Sequence, residues 1–474
     1  MNVVLIMCDQ QQASSLPMYG NPLVRTPNLS KLATEGTVFE NAYTSCPLCV
    51  PARVSTFTGQ YPSAHGSLNN GMLMAPGRQH LLRCLKDAGY VTGLAGKNHC
   101  FRAEDLELFD YLRQAGHGGP LHDEEVTAEQ KQAREFLQGN SKFSAAWGYA
   151  TNPHRPKDLG TAWTTDRAIE FVRAQKDVPF FLWYSIPDPH IPFQTCEPYA
   201  SMYKPEDVDL PPLPEDEMEN KPRAHQIDWE VMRGDVVDEQ TIRAVRAMYY
   251  GMNTYVDAEI GRFLDELETL GIKDDTLLVY VSDHGEYLGE HRMIRKSKAA
   301  YDCLIHVPFI VAGPGVQAGR SEAFVSLEDI MPTVLSFLGI PCPAEVHGQS
   351  LVSLLQGGPF AQKEYAYGEY GAHTEPVPAE QSFQACRTPH SPDFSPSKKL
   401  GGYGKLRYLR TNEWKLVTYV NDRCELYHLP TDPYELDNIY GSPQTQPVIL
   451  ELQRKLLEAM MRAANPGVNP PEVS

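Results

Sequence analysis

The sequence predicts an α/β protein built on a large, mostly parallel sheet with helices packed around it, followed by a smaller α+β portion. Three observations lead there. Apolar runs of strand length alternate with helical stretches along much of the chain. Several of those runs stop at a polar pair, as parallel strands do where a site forms at their C-terminal ends. Beyond residue 405 the pattern changes to short strands with a closing amphipathic helix.

The elements follow in order. NVVLIMC (2–8) has the continuous apolar character of a strand buried on both faces, and it runs into Asp9-Gln10. Residues 27–36 and 51–59 are predicted helices, with Pro27 and Pro51 in their first turns. Residues 79–89 read as helical, and VTGLAG (91–96) as a strand leading to Lys97 and His99. VPFFLWYSI (178–186) is a strong buried strand, with His190 just beyond it. The longest helical pattern covers 238–271. TLLVYVS (276–282) is a strand that ends on Asp283-His284, VPFIVAG (307–313) is another, and 326–339 is helical. The stretches 101–177 and 194–237 carry many prolines and charges and read as insertions around the mouth of a site. Residues 371–405 read as a long loop; LRYLRT (406–411), EWKLVTYV (413–420) and CELYHL (424–429) as antiparallel strands; and about 445–463 as a helix. The expected division is a catalytic domain over 1–365 and a small C-terminal domain over 366–474.

With 474 residues the chain can bury a sizeable core. A net charge of −18 argues against a nucleic-acid partner, which would need a basic face. It leaves room for an anionic substrate in a local cationic pocket. No apolar run reaches the roughly 18 residues of a membrane span, so no membrane partner is expected. The opening MNVVLIMCDQQQ fits a first strand better than a signal peptide, and ten cysteines without a compact framework fit a reducing compartment. A cytoplasmic location is the expectation.

Four strand ends therefore carry Asp9-Gln10, Lys97 and His99, His190, and Asp283-His284. Each alone has an ordinary explanation: a lysine is usually a solvated charge, and an aspartate after a strand is often a turn or cap residue. Together they point to a site. The pair Cys46-Pro-Leu-Cys49 offers two further readings. Structural zinc would need a second ligand pair, and no other cysteines form one. A redox pair would leave Asp9, Asp283, Lys97 and His190 without a role.

The string CVPAR (49–53), followed by TGQYPSAHG (58–66), resembles the signature of the formylglycine-dependent sulfatases. The resemblance extends to LIMCDQ, GKNH, DPHIPF, SDHGEYLGEH, RKSKAAYDCLIHVPFIVAGPG and the C-terminal KLVTYVNDRCELYHLPTDPYELDNI, and so covers nearly the whole chain. It implies an alkaline-phosphatase-like fold and hydrolysis of a sulfate ester to an alcohol and inorganic sulfate. It implies that a maturation enzyme, the formylglycine-generating partner, oxidises Cys49 to formylglycine. The hydrated aldehyde offers two hydroxyls on one carbon: one attacks sulfur, and deprotonation of the other expels sulfate without water attacking a hindered centre. Asp9, Gln10, Asp283, His284 and the modified Cys49 would hold Ca²⁺, or Mg²⁺ in a tight site. Many members carry Asp for Gln10 and Asn for His284; the imidazole moves preference toward Mn²⁺. Arg53 would hold the nucleophile, Lys97 the sulfate, His99 would act as base and His190 would serve the leaving alcohol. Lys296 is expected as the second cation, with Lys298 competing, while His65 is read as support for the nucleophile helix.

Two rivals remain. The pair Asp283-His284 also occurs in relatives resembling choline sulfatases and phosphonate monoester hydrolases, so a phosphonate monoester or phosphodiester is the rival substrate. A non-catalytic anion-binding protein would keep Cys49 unmodified. The alcohol part is not legible. The basic residues His373, Arg387, His390, Lys398 and Lys399 read as a solvated loop or as a lid for a sulfated sugar. A homo-oligomer is left open.

Overall fold

Alternation along the first strand organises the molecule. In the computed structural model, β1 (Asn2–Cys8) is buried along its whole length. Val3, Leu5 and Met7 face a core shared with Phe57, Leu85 and Leu335. Val4, Ile6 and Cys8 face a second core with Phe171, Val172, Val256 and Ile260. A strand that must bury both faces has no use for polar residues, which is why the run reads as continuously apolar. The residues described are 1–121, 126–140, 142, 146–297, 299–371 and 405–465.

The strands after β1 are β2 (Thr37–Tyr43), β3 (Val91–Gly96), β4 (Tyr111–Gly116), β5 (Gly119–Pro120), β6 (Tyr149–Asn152), β7 (Phe180–Ile186) and β8 (Phe193–Cys196). They continue with β9 (Thr276–Ser282), β10 (Phe309–Ala312), β11 (Gly319–Ser326), β12 (Ala366–Tyr370), β13 (Leu406–Arg410), β14 (Trp414–Tyr419) and β15 (Glu425–His428). Nine of them form one sheet in the order β11-β2-β10-β9-β1-β7-β3-β4-β5. Its centre is parallel: β1 pairs in parallel with β7 and β9, β3 with β7, and β4 with β3. β10 runs antiparallel between β9 and β2. β12 to β15 form a four-stranded antiparallel sheet. Its Tyr367, Leu409, Leu416 and Leu426 pack on Ile449, Leu452 and Leu456 of the helix Gln446–Ala464.

Most expected elements fall where the sequence puts them, with three differences. The helix expected over 51–59 spans Cys49–Thr58, so it begins at Cys49 and places Pro51 two residues inside. The stretch read as insertion over 101–177 contributes β4 and β5 to the sheet and the helix Gly160–Gln175 to the second core. β2, β11 and β12 were not expected; β11 lies at the sheet edge, where its polar residues are tolerated, and in β2, one strand in, Glu40 and Asn41 are only half-buried. The basic residues of the loop 371–405 lie outside the described residues. No described helix is long and apolar enough to cross a membrane.

Candidate active site

Register brings the polar strand ends side by side. Cys8 pairs with Ile186 on one side and Ser282 on the other, and Gly96 pairs with Ser185. The ladder continues one residue further: the amides of Asp9, Lys97 and Asp283 donate to the carbonyls of Ile186, Ser185 and Cys8 at 3.1, 2.9 and 3.2 Å. Three functional side chains are thus launched from backbone that is itself hydrogen-bonded. Gly96 must be glycine: its φ is +112°, and a Cβ there would lie 1.9 Å from the Ser185 carbonyl oxygen.

Cys49 opens its helix directly beneath this row and is buried. Its Sγ lies 3.2 Å from His284 Nε2 and 3.6 Å from Asp9 Oδ1. Burial pushes the thiol up, but Lys296, Lys97 and His284 outweigh it and hold it well below its ordinary value.

Arg53 lies one turn along the helix, fully buried. Its Nε donates to Asp283 Oδ2 at 2.8 Å, and its terminal nitrogens reach Asp9 Oδ2 (3.2 Å), Ser185 Oγ (2.8 Å) and the Lys97 carbonyl (3.0 Å). One planar fork therefore ties two carboxylates and a strand end together, which an ammonium could not do. Burial and Cys49 push Asp9 up, yet Lys97, His190 and Arg53 bring it down to about 2.

The donor set can be tested for a cation on its own chemistry. One ligand atom each from Asp9, Cys49, Asp283 and His284 lies within 4.8 Å of the others. His284 Nδ1 is 2.9 Å from the Gly285 carbonyl, so it carries a proton, and Nε2, which faces Cys49 Sγ here, is the nitrogen a metal would take. Two carboxylates with an imidazole fit a divalent ion. Gln10 stands beside them: its backbone amide donates to Asp283 Oδ1 at 3.0 Å. Its side chain is occupied, with Oε1 accepting from Lys296 at 2.7 Å and the amide donating to Glu286.

The remaining residues line the other side. Lys97 pairs with Asp9 and lies 3.1 Å from His117 Nε2. Lys296 lies 3.2 Å from His190 Nε2, while His190 Nδ1 donates to the Ile191 carbonyl at 2.7 Å. Burial and Lys296 push His190 down to about 4. His99 is held at a positive φ of 58°. Lys296 is thus placed at the site; Lys298 lies outside the described residues. His65 bonds Ser55 of the helix that begins at Cys49, at 3.0 Å.

Two residues of the site escaped the sequence reading. Glu286 is buried, accepts from Gln10, and accepts from the backbone amides of Leu288 and Arg295, which shapes the loop that carries Lys296. Burial pushes it up to about 7. His117 follows the end of β4, one strand beyond Lys97 in the same row. The rule that found the others would have found it, had YLRQAG been read as a strand.

A buried cysteine at a helix start, with acidic and cationic groups converging on it at the C-terminal ends of parallel strands, matches the alkaline-phosphatase-like class of hydrolases. The chain belongs to the sulfatase family, the sulfuric ester hydrolases: the family's model matches residues 1–340, and the model of the N-sulphoglucosamine sulphohydrolase C-terminal region matches 403–462. It is 32% identical to an arylsulfatase of Clostridium perfringens (strain 13 / Type A), over 97% of this chain and 94% of that one. It is 28% identical to the choline-sulfatase of Rhizobium meliloti (strain 1021), over 94% of this chain and 83% of the relative. Among solved structures, the phosphonate monoester hydrolase of Silicibacter pomeroyi matches with a TM-score of 0.81 and 25% identity, covering 98% of this chain and 95% of that chain.

Proposed function

We propose that the protein hydrolyses a sulfate ester, R–O–SO₃⁻, to an alcohol and sulfate, with Cys49 acting after conversion to formylglycine and Ca²⁺ (or Mg²⁺ or Mn²⁺) as its ion. The observation that carries the reading is the position of Cys49 Sγ, at a helix start, 3.2 Å from His284 Nε2 and 3.6 Å from Asp9 Oδ1. In this reading Asp9, Asp283, His284 and residue 49 hold the ion. Gln10, expected among the ligands, offers its oxygen to Lys296 here, so the set that needs no rearrangement leaves it out. The bound ion would supply positive charge that polarises the reacting oxygens. Formylglycine, as its hydrate, would supply two hydroxyls on one carbon, one to attack sulfur and one to expel sulfate.

The chain's own groups do the rest. Arg53 holds Asp9 and Asp283 by one oxygen each, which leaves Asp9 Oδ1 turned toward residue 49 and Asp283 Oδ1 toward the amides of Gln10 and His284. Lys97 and Lys296 bring positive charge to the sulfate oxygens, where charge builds as sulfur is attacked. His99 accepts a proton from residue 49. His190 gives one to the departing oxygen. In the free site His190 is neutral near pH 7, because burial and Lys296 disfavour its charge. A negatively charged substrate on Lys296 relieves that penalty, so proton loading accompanies binding. Residues 1–365 form the catalytic unit in this reading and 366–474 the smaller one. The substrate is a sulfated small molecule or sugar, the classes named among the relatives.

The test is the mass of the tryptic peptide ending at Arg53, from protein co-expressed with a formylglycine-generating enzyme. Conversion of CH₂SH to CHO lowers it by about 18 Da. An intact thiol would sink the mechanism and favour an anion binder. A second reading, a phosphonate monoester hydrolase, draws on His284 and on the Silicibacter pomeroyi structure. Comparing kcat/KM for 4-nitrophenyl sulfate and 4-nitrophenyl phenylphosphonate on the converted protein separates the two.

A further inference from the structure

His117 sits between β4 and β5, in the turn of a hairpin at the end of the central sheet. Its ring lies flat on that of His190, with centroids 3.6 Å apart and planes inclined by 17°. Its Nε2 is 3.1 Å from Lys97 Nζ. An ammonium has no acceptor, so Lys97 donates and the imidazole receives. The edge of the same ring meets His99, centroids 6.3 Å apart at 89°. One side chain thus touches three groups to which the proposed chemistry gives work.

The two lysines make a symmetrical arrangement. Lys296 donates to His190 Nε2 at 3.2 Å, and Lys97 to His117 Nε2. The stacked rings stand between them. A lysine on a flexible stem is a poor director of charge unless its hydrogens are claimed. Asp9 and His117 claim two of the three on Lys97, which fixes where the third points. His190 is carried on a loop after β7, held by its own bond to the Ile191 carbonyl and by the stack.

We propose that His117 is a positioning residue for the hydrolysis: its Nε2 directs the free N–H of Lys97 at the substrate's anionic group, and its ring sets the plane of His190 toward the leaving oxygen. The inference rests on the sulfate-ester reading for the identity of the substrate, but not for the geometry. Removing the ring loosens two groups at once, and its two functions separate by substitution. Phenylalanine keeps the stack and loses the acceptor. Glutamine keeps an acceptor and loses the stack.

The experiment measures kcat and KM of the converted enzyme on an aryl sulfate with a good leaving group and an alkyl sulfate with a poor one. His117→Ala should raise KM on both and lower kcat on the alkyl ester by about 10-fold to 100-fold, with a smaller loss on the aryl ester. His117→Gln should recover KM but not the alkyl kcat; His117→Phe should recover the alkyl kcat but not KM. Equal losses on both esters in all three variants, as general loosening would give, would overturn the proposal, and so would unchanged constants. Should the wild type prefer phosphonate monoesters, the sulfate reading fails while the same series on aryl and alkyl phosphonates still tests His117. A crystal structure of His117→Ala gives an answer independent of turnover: Lys97 and His190 unmoved from their present rotamers would also overturn it.

Discussion

The two sides of the site are built differently. On the side of Asp9, Asp283, His284 and Cys49, the side chains spring from strand ends or a helix start, and buried Arg53 binds two of them together. On the side of Lys296, His190 and His117, they spring from loops and a hairpin turn, and they are held by one another and by single bonds to Gln10, Lys97 and the Ile191 carbonyl. The first side is over-determined by the sheet. The second can vary with loop sequence while the sheet stays intact. This division suits an enzyme family in which the attack on sulfur is common and the alcohol differs.

The comparison can be broken at its strongest point. Cys49→Ala should remove turnover altogether, a loss on the order of 10⁶-fold, since no other group within the site can carry the covalent step. Single-turnover assays at high enzyme concentration check this, and residual activity within 100-fold of wild type would deny Cys49 the nucleophile's place.

Arg53→Ala asks whether the sheet side is structural as well as chemical. It would leave Asp9 and Asp283 buried without their shared partner, a change that typically costs about 3–5 kcal/mol. Urea unfolding of the unmodified chain measures it. Arg53→Lys should recover little, because one ammonium cannot satisfy both carboxylates and Ser185. Lys296→Ala supplies the contrast: a stability loss of no more than about 1–1.5 kcal/mol, from the hydrogen bond lost by Gln10, but kcat/KM lower by about 10²- to 10³-fold. If Lys296→Ala unfolded the protein as readily as Arg53→Ala, the distinction between the two sides would fail.

The same division explains what could be read in one dimension. Asp9, Lys97 and Asp283 were legible because each ends an apolar run that stands out in sequence, and register then makes them neighbours. Cys49 and Arg53 were legible through a short motif on one helix turn. His117 was not, because β4 carries Arg113 and Gln114 and has no continuous apolar run. Its partners β3 and β5 complete a strand that propensity alone does not announce. Glu286 was hidden for another reason: its work is on backbone amides of its own loop, a role no spacing encodes.

The smallest expected effect is a pH dependence confined to the loop side. Burial and Lys296 hold His190 at about 4 in the free protein. The fraction protonated therefore falls about tenfold for each pH unit above that value. For an alkyl ester, whose oxygen needs the proton to leave, kcat/KM should rise as pH is lowered from 8 toward 5. For an aryl ester with a good leaving group it should stay nearly flat. The stability linkage has the opposite sense. A histidine whose folded value is depressed below its ordinary 6.5 contributes stability that is present above 6.5 and is lost as pH falls toward 4. His190→Gln should abolish the slope on the alkyl ester and also flatten the loss of stability between pH 6.5 and 4. The two measurements on one variant must move together. A slope that survives in His190→Gln would assign the proton to another group and move the leaving-group acid off the loop side.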